Sequence, residues 1–209
     1  QETPKTGDCR ISGMMASLCG LEKAVKEHDP AQIDLAVGRM TVLFGVALTI
    51  GGIPLLYLGD EFGLMNDYDY VKNADHAEDS RWVHRVHYDS IAEIQRNDPT
   101  SVTGRVYGAV RKIITVRKGY SIFAERSMKV LNPGSRYLFA YAKESETEVA
   151  VCIANFSEHR LPLRLADTHG FDGCDPELMD LMTGDKLNVG DLLTIEPYAF
   201  KVFLGKRRS

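Results

Sequence analysis

The chain is 209 residues long, enough for one or two domains with real cores, and its 44% hydrophobic and 26% charged residues are those of an ordinary soluble globular protein. Its net charge of −4 offers no field that would collect nucleic acid. Cys9, Cys19, Cys152 and Cys174 stand far apart, with no CxxC pair and no Cys/His spacing that suits zinc, so reduced thiols and no metal or other cofactor are expected.

The chain opens with Gln1 and a turn-like stretch, QETPKTGD, without a signal-peptide pattern, and reads as a piece of something longer. A helix is predicted over 11–28, ISGMMASLCGLEKAVKEH. A second, over 30–49, starts at Asp29-Pro30, a capping residue followed by proline at the first turn. Gly51-Gly52 ends it, and IPLLYL, residues 53–58, follows as a short strand. Nothing from Met40 through Gly59 is charged, which is long enough to cross a bilayer. Gly51, Gly52 and Pro54 sit where a span would need helix, and proline inside one costs about 3 kcal/mol. No membrane is expected. An apolar strand after a nearly all-apolar helix is what a parallel sheet covered on both faces requires.

Residues 59–88 read as a long loop carrying Asp60, Glu61, Asp67, Asp69, Asp75, Glu78 and Asp79. Loops of this length are usually functional or disordered, and the interleaved Phe62, Tyr68, Tyr70 and Trp82 argue for order. A short helix is predicted from Asp89 to Gln95. Another, capped by Thr100 or Ser101, carries Val102, Val106, Val110, Ile113 and Val116 near helical spacing and stops at Gly119. From Ser121 onward the style changes to short strands separated by turn signals such as NPGS and TGD, with alternation in Val149, Val151, Ile153 and in Phe200, Val202, Leu204. The predicted organisation is an α/β portion over 1–120 and an antiparallel β-sandwich over 121–209. A complete (β/α)8 TIM barrel needs about 250 residues, so the first portion is a barrel's C-terminal part at most.

Asp60-Glu61 suggests a glycosidase pair, but neighbours on an extended segment point in opposite directions, which favours a structural or substrate-orienting role. His84 and His87 lack a third metal ligand and read as solvated loop histidines. Asp67-Tyr68-Asp69 resembles the start of a calcium loop, yet Lys72 stands where that loop requires glycine. Arg81 has two readings, a surface ion pair or a buried bidentate pair with a carboxylate lining a pocket. Arg10 is equally open.

GGIPLLYLGDEFG resembles the eighth-strand motif of glycoside hydrolase family 13, the α-amylase family, a GxPxxYxGxE stretch matched here by Gly52, Pro54, Tyr57, Gly59 and Glu61. KTGDCRISG, EDSRWVHR and QRNDP together resemble amylosucrases, sucrose-cleaving transglucosylases of that family. The resemblance implies a retaining reaction in which a carboxylate attacks sucrose's glucosyl carbon, fructose leaves and an α-glucan end accepts the glucosyl unit. It also implies that the nucleophile, the general acid/base and the stabilising carboxylate all lie upstream of Gln1, so this chain alone is expected to be inactive and to have the N-terminal part of the barrel as its partner. Arg81 matches the arginine that closes the floor of the glucosyl pocket with an upstream Asp, while Arg10 and Gln1 match residues on the fructosyl or acceptor side. The resemblance further implies a cytoplasmic bacterial enzyme of carbohydrate metabolism, with a homodimer left open. Phe62 and the YDYVKNADHAE stretch depart from the amylosucrase pattern and leave polymer synthesis or hydrolysis open. Two further readings stand beside it: a sucrose hydrolase of the same family, and a non-catalytic carbohydrate-binding or interaction module.

Overall fold

A computed structural model describes residues 12–87, 89–126 and 128–208; Gln1, Cys9 and Arg10 lie outside them. The chain divides into two compact units that are not successive lengths of sequence, one made of residues 1–40 and 56–108, the other of residues 41–55 and 109–209.

In the first unit the helix predicted over 11–28 is two helices, α1 (Met15–Leu18) and α2 (Leu21–Lys26). The break falls at Gly20, whose φ of 77° lies in the left-handed region that glycine enters without strain. The freed Cys19 carbonyl accepts from Arg39 Nε at 2.9 Å. α3 (Pro30–Thr49) has the predicted bounds, and the Asp29 carboxylate accepts the Gln32 N–H at 3.1 Å. α4 (Ser90–Gln95) is capped by Asp89, which accepts from the Ile91 and Ala92 amides. α5 (Val102–Gly119) is capped by Ser101, whose Oγ accepts from Gly104 N–H at 2.9 Å. Arg105 on α5 ties to Asp34 on α3 at 2.7 Å, and Phe62 stacks on Tyr107 with ring centres 5.5 Å apart.

Among the described residues the second unit is built on eight strands: β1 (Lys129–Leu131), β2 (Leu138–Glu144), β3 (Glu148–Asn155), β4 (Leu161–Arg164), β5 (Cys174–Asp180), β6 (Lys186–Asn188), β7 (Leu192–Ile195) and β8 (Phe200–Arg207). β1-β2-β3-β8-β5-β6 form one antiparallel sheet and β4-β7 a second. The sequence reading did not mark β6, a three-residue edge strand in which only Leu187 is apolar.

Both faces of the central strands are buried. Leu138, Ala140 and Ala142 of β2, Val149, Val151 and Ile153 of β3, and Phe203 of β8 form a core with Leu163 and Ile195 of the smaller sheet. On the opposite face Tyr141 meets Thr49 of α3, and Phe200 lies against Gly45 of the same helix. α3 is, among the described residues, the helix long and apolar enough to cross a membrane by length and composition. Its second half buries Val42, Phe44, Leu48 and Thr49 in this unit.

Residues 53–58, expected as a strand, run without regular structure and pair with no strand among the described residues. Ile53 is 99% exposed, Leu55 91% and Leu58 75%. A strand requires a neighbour for its N–H and C=O groups, and the described residues supply none here. The start of this segment is nevertheless fixed. Arg117 on α5 donates to the Leu48 carbonyl at 2.5 Å and to the Gly52 carbonyl at 3.1 Å, meeting orphan acceptors at the α3 C-terminus.

Candidate functional site

The groups the sequence singles out lie in the long loop after residue 58. Its first turn, Asp60–Phe62, is flanked by Gly59 and Gly63 at φ of 98° and 67°. Asp60 turns inward, is buried, and its Oδ1 accepts the Met15 N–H at 2.9 Å. Burial pushes its carboxyl above the usual aspartate range, and the neighbouring Glu61 adds to that. Glu61 folds back to accept the Gly59 N–H at 2.7 Å. Both acids therefore hold backbone, the structural role weighed for them.

The acidic run has a common use. Asp67 accepts the Asp69 N–H, Asp79 the Arg81 N–H, Asp89 two amides of α4, and Asp98 the Thr100 N–H. Aspartate caps a turn well because its carboxylate reaches an amide two or three residues on. Short helical turns over Tyr68–Lys72 and Ser80–His84 follow two of these caps. Among the described residues no group of three or more His, Cys, Asp or Glu could hold a metal ion.

Arg81 is largely exposed and makes a bidentate pair with Asp79, Nε to Oδ1 at 2.8 Å and Nη2 to Oδ2 at 2.7 Å. Those hydrogen bonds hold the Asp79 carboxyl well below the usual carboxylate range. Beside it, His76 stacks on Trp82 with ring centres 3.5 Å apart, and the Arg85 guanidinium lies 4.7 Å from the Trp82 ring centre. This stack is the order that the loop's aromatic residues suggested. His84 departs from the solvated reading. Its ring stands edge-on to Tyr57 at 5.5 Å, and its Nδ1 is buried with no hydrogen-bond partner among the described residues.

A second polar cluster, in the sheet unit, went unmarked in the sequence because its members look like ordinary strand and helix residues. Thr49 donates to the Gly45 carbonyl at 2.7 Å and lies 2.6 Å from the Tyr141 hydroxyl; the Cys152 thiol donates to Thr49 Oγ1 at 3.8 Å. Burial pushes the Cys152 thiol up to about 12 and raises the Tyr141 phenol as well. Lys143, fully buried two residues along β2, donates to the Glu125 carbonyl, and burial lowers the pKa of its ammonium.

No family model matches the sequence. Solved structures do. A trehalose-6-phosphate hydrolase of Bacillus licheniformis matches over 81% of this chain and 39% of its own, with a TM-score of 0.56 and 17% identity. AmyP in complex with maltose matches over 84% and 35%, with a TM-score of 0.65 and 13% identity. A trehalulose synthase variant matches over 82% and 38%, with a TM-score of 0.58 and 18% identity. The chain shares its fold with part of each of these enzymes. It spans little more than a third of their length.

Proposed function

We propose that the chain is the C-terminal portion of a retaining, sucrose-cleaving α-transglucosylase of the α-amylase family, similar to amylosucrases. In this reading residues 53–58 are the closing strand of a (β/α)8 barrel whose other strands lie upstream of Gln1, and the β-sheet unit is the C-terminal sandwich. The observation that carries it is the state of that segment. Pro54, Tyr57, Gly59 and Glu61 of the GxPxxYxGxE pattern sit on or beside an apolar stretch whose Ile53, Leu55 and Leu58 stand in solvent, with no strand paired to it among the described residues. An apolar run of this kind is stable only with neighbours on both sides. The fold likeness to parts of much longer enzymes supports the same reading.

The chemistry then divides between the two parts of the protein. One upstream carboxylate attacks the glucosyl carbon. An upstream carboxylic acid protonates the departing fructose and then, as a carboxylate, takes the proton of the α-glucan hydroxyl that receives the glucosyl unit. A third carboxylate stabilises the charge, as in other retaining enzymes. Arg81 exchanges its exposed partner Asp79 for an upstream aspartate and closes the pocket floor behind a single glucosyl unit; Arg10 and Gln1 contact the fructosyl or acceptor side. A planar guanidinium suits this because it pairs with a carboxylate through two parallel hydrogen bonds. The substrates are sucrose and an α-glucan end, and the setting is the bacterial cytoplasm.

The full-length protein incubated with sucrose tests the proposal. Fructose together with α-glucan supports it. Glucose and fructose in equal amounts without glucan assign a sucrose hydrolase. Glucan binding by the 209-residue chain, with no turnover by the longer protein, assigns a carbohydrate-binding module.

A further inference from the structure

Helix α1 has no cap of its own, because Met14 stands at its N-cap position and makes no side-chain capping bond. Its leading amides are met from the loop instead. Met14 N–H donates to Asn66 Oδ1 at 2.7 Å and Met15 N–H to Asp60 Oδ1 at 2.9 Å. Each acceptor is itself held. Asn66 Nδ2 donates to the Tyr68 hydroxyl at 3.0 Å, and that hydroxyl donates to Glu22 of α2 at 3.2 Å, which fixes which way the Asn66 amide faces. Asp60 is 8% exposed, in a turn flanked by two left-handed glycines. A Cβ on Gly59 would stand 3.2 Å from the Met14 side chain and one on Gly13 would stand 3.3 Å from Asn66, so the two strands of chain touch along the clamp.

We propose that Asp60 and Asn66 are positioning residues: together they clamp the Met14–Met15 peptide, and so fix where the segment entering α1 stands relative to the start of the long loop. The inference rests on the reading above in one respect, that Arg10, four residues before Met14, contacts sugar. Neither Asp60 nor Asn66 touches substrate in this scheme. Their effect is on placement, and a displacement of about 1 Å in a binding group costs up to about a hundredfold in rate. The sequence hides this role, since GDEF invites a catalytic reading of Asp60 and Asn66 carries no motif.

The test uses Asp60→Ala, Asp60→Asn and Asn66→Ala. In the 209-residue chain, amide exchange at Met15–Leu18 is expected to quicken about five- to tenfold in Asp60→Ala and Asn66→Ala, the scale of a lost helix cap. Asp60→Asn keeps the acceptor oxygen and is expected to exchange at the parental rate. In the full-length protein, Asp60→Ala is expected to raise KM for sucrose about tenfold with kcat within about threefold, and Asp60→Asn to restore it. Unchanged exchange in both alanine variants overturns the clamp. Asp60→Asn as impaired as Asp60→Ala, with kcat lost, overturns the positioning role and makes the charge itself the working group. Should Asp60→Ala unfold, Asn66→Ala decides by the same two readouts. A full-length protein that does not act on sucrose refutes the proposed function and leaves the exchange result standing.

Discussion

The hydroxyl of Thr49, in the last turn of α3, lies 2.6 Å from the phenol of Tyr141 on β2 in a fully buried setting. Thr49 already donates to the Gly45 carbonyl, so Tyr141 is the donor in this contact. The two partners are therefore unequal. Thr49→Val strands a buried phenol donor and is expected to cost about 2–3 kcal/mol, whereas Tyr141→Phe leaves the Gly45 bond intact and should cost about 1 kcal/mol. The double variant should cost less than the sum of the two. Denaturant unfolding of all three variants checks the order.

Two glycines four apart on α5 should respond oppositely to alanine. A Cβ on Gly104 would stand 1.9 Å from the Asp98 backbone carbonyl, which cannot swing aside as a side chain would. Gly104→Ala is expected to cost about 3 kcal/mol or more. At Gly108 nothing lies within 4 Å, and Gly108→Ala should stabilise the helix by about 0.5–1 kcal/mol. Thermal melting of the two variants is the measurement.

Cys19, Cys152 and Cys174 are free and buried, with Cys19 pushed up to about 11 and Cys152 to about 12 by desolvation. They should resist alkylation at pH 8 until denaturant is added. A thiol whose folded pKa is raised contributes stability that is complete below its unfolded value, 9.0, and is lost as pH climbs toward the folded value. Stability should therefore fall between about pH 9 and 12, with the raised Tyr141 phenol acting in the same direction above pH 10. Cys152→Ala should flatten the lower part of that decline.

The 209-residue chain should self-associate through residues 53–58, where two large apolar side chains stand almost wholly in solvent. Ile53→Lys with Leu55→Lys is expected to return a monomer in sedimentation without lowering the unfolding midpoint. In the full-length protein the same pair should prevent folding if these residues lie between strands.

Under the proposed function Arg81 and Asp79 should separate in their effects although they pair in space. In the full-length protein Arg81→Ala should lower kcat/KM for sucrose by about a thousandfold, because a buried carboxylate would lose its bidentate partner. Asp79→Ala should change it by less than about threefold. Equal effects would make the pair a loop brace with no part in the pocket.

Much of this fold is legible in residue patterns, and the gaps have physical causes. α3 shows itself through Asp29-Pro30 at one end and Gly51-Gly52 at the other, α5 through its valine spacing, and most strands through their apolar runs. The break at Gly20 was missed because one left-handed residue interrupts a pattern that is helical on both sides. Residues 53–58 read as a strand because composition reports what a segment prefers, while pairing depends on a neighbouring strand, and none lies beside them among the described residues. The site was harder. The acids were visible, but which amides they hold depends on contacts 45 and 52 residues apart in sequence, as for Asp60 with Met15 and Asn66 with Met14. Gln1 and Arg10 lie outside the described residues, so only Arg81 among the sugar-contact candidates has a place on the structure.

Arg117 grips the Leu48 and Gly52 carbonyls on either side of the double glycine, so the direction in which the chain leaves α3 is written into α5. Under the proposed barrel reading, α5 would act as a jig for the first residues after the double glycine. A substitute for α5 would preserve that exit only where it brings its own arginine to the corner.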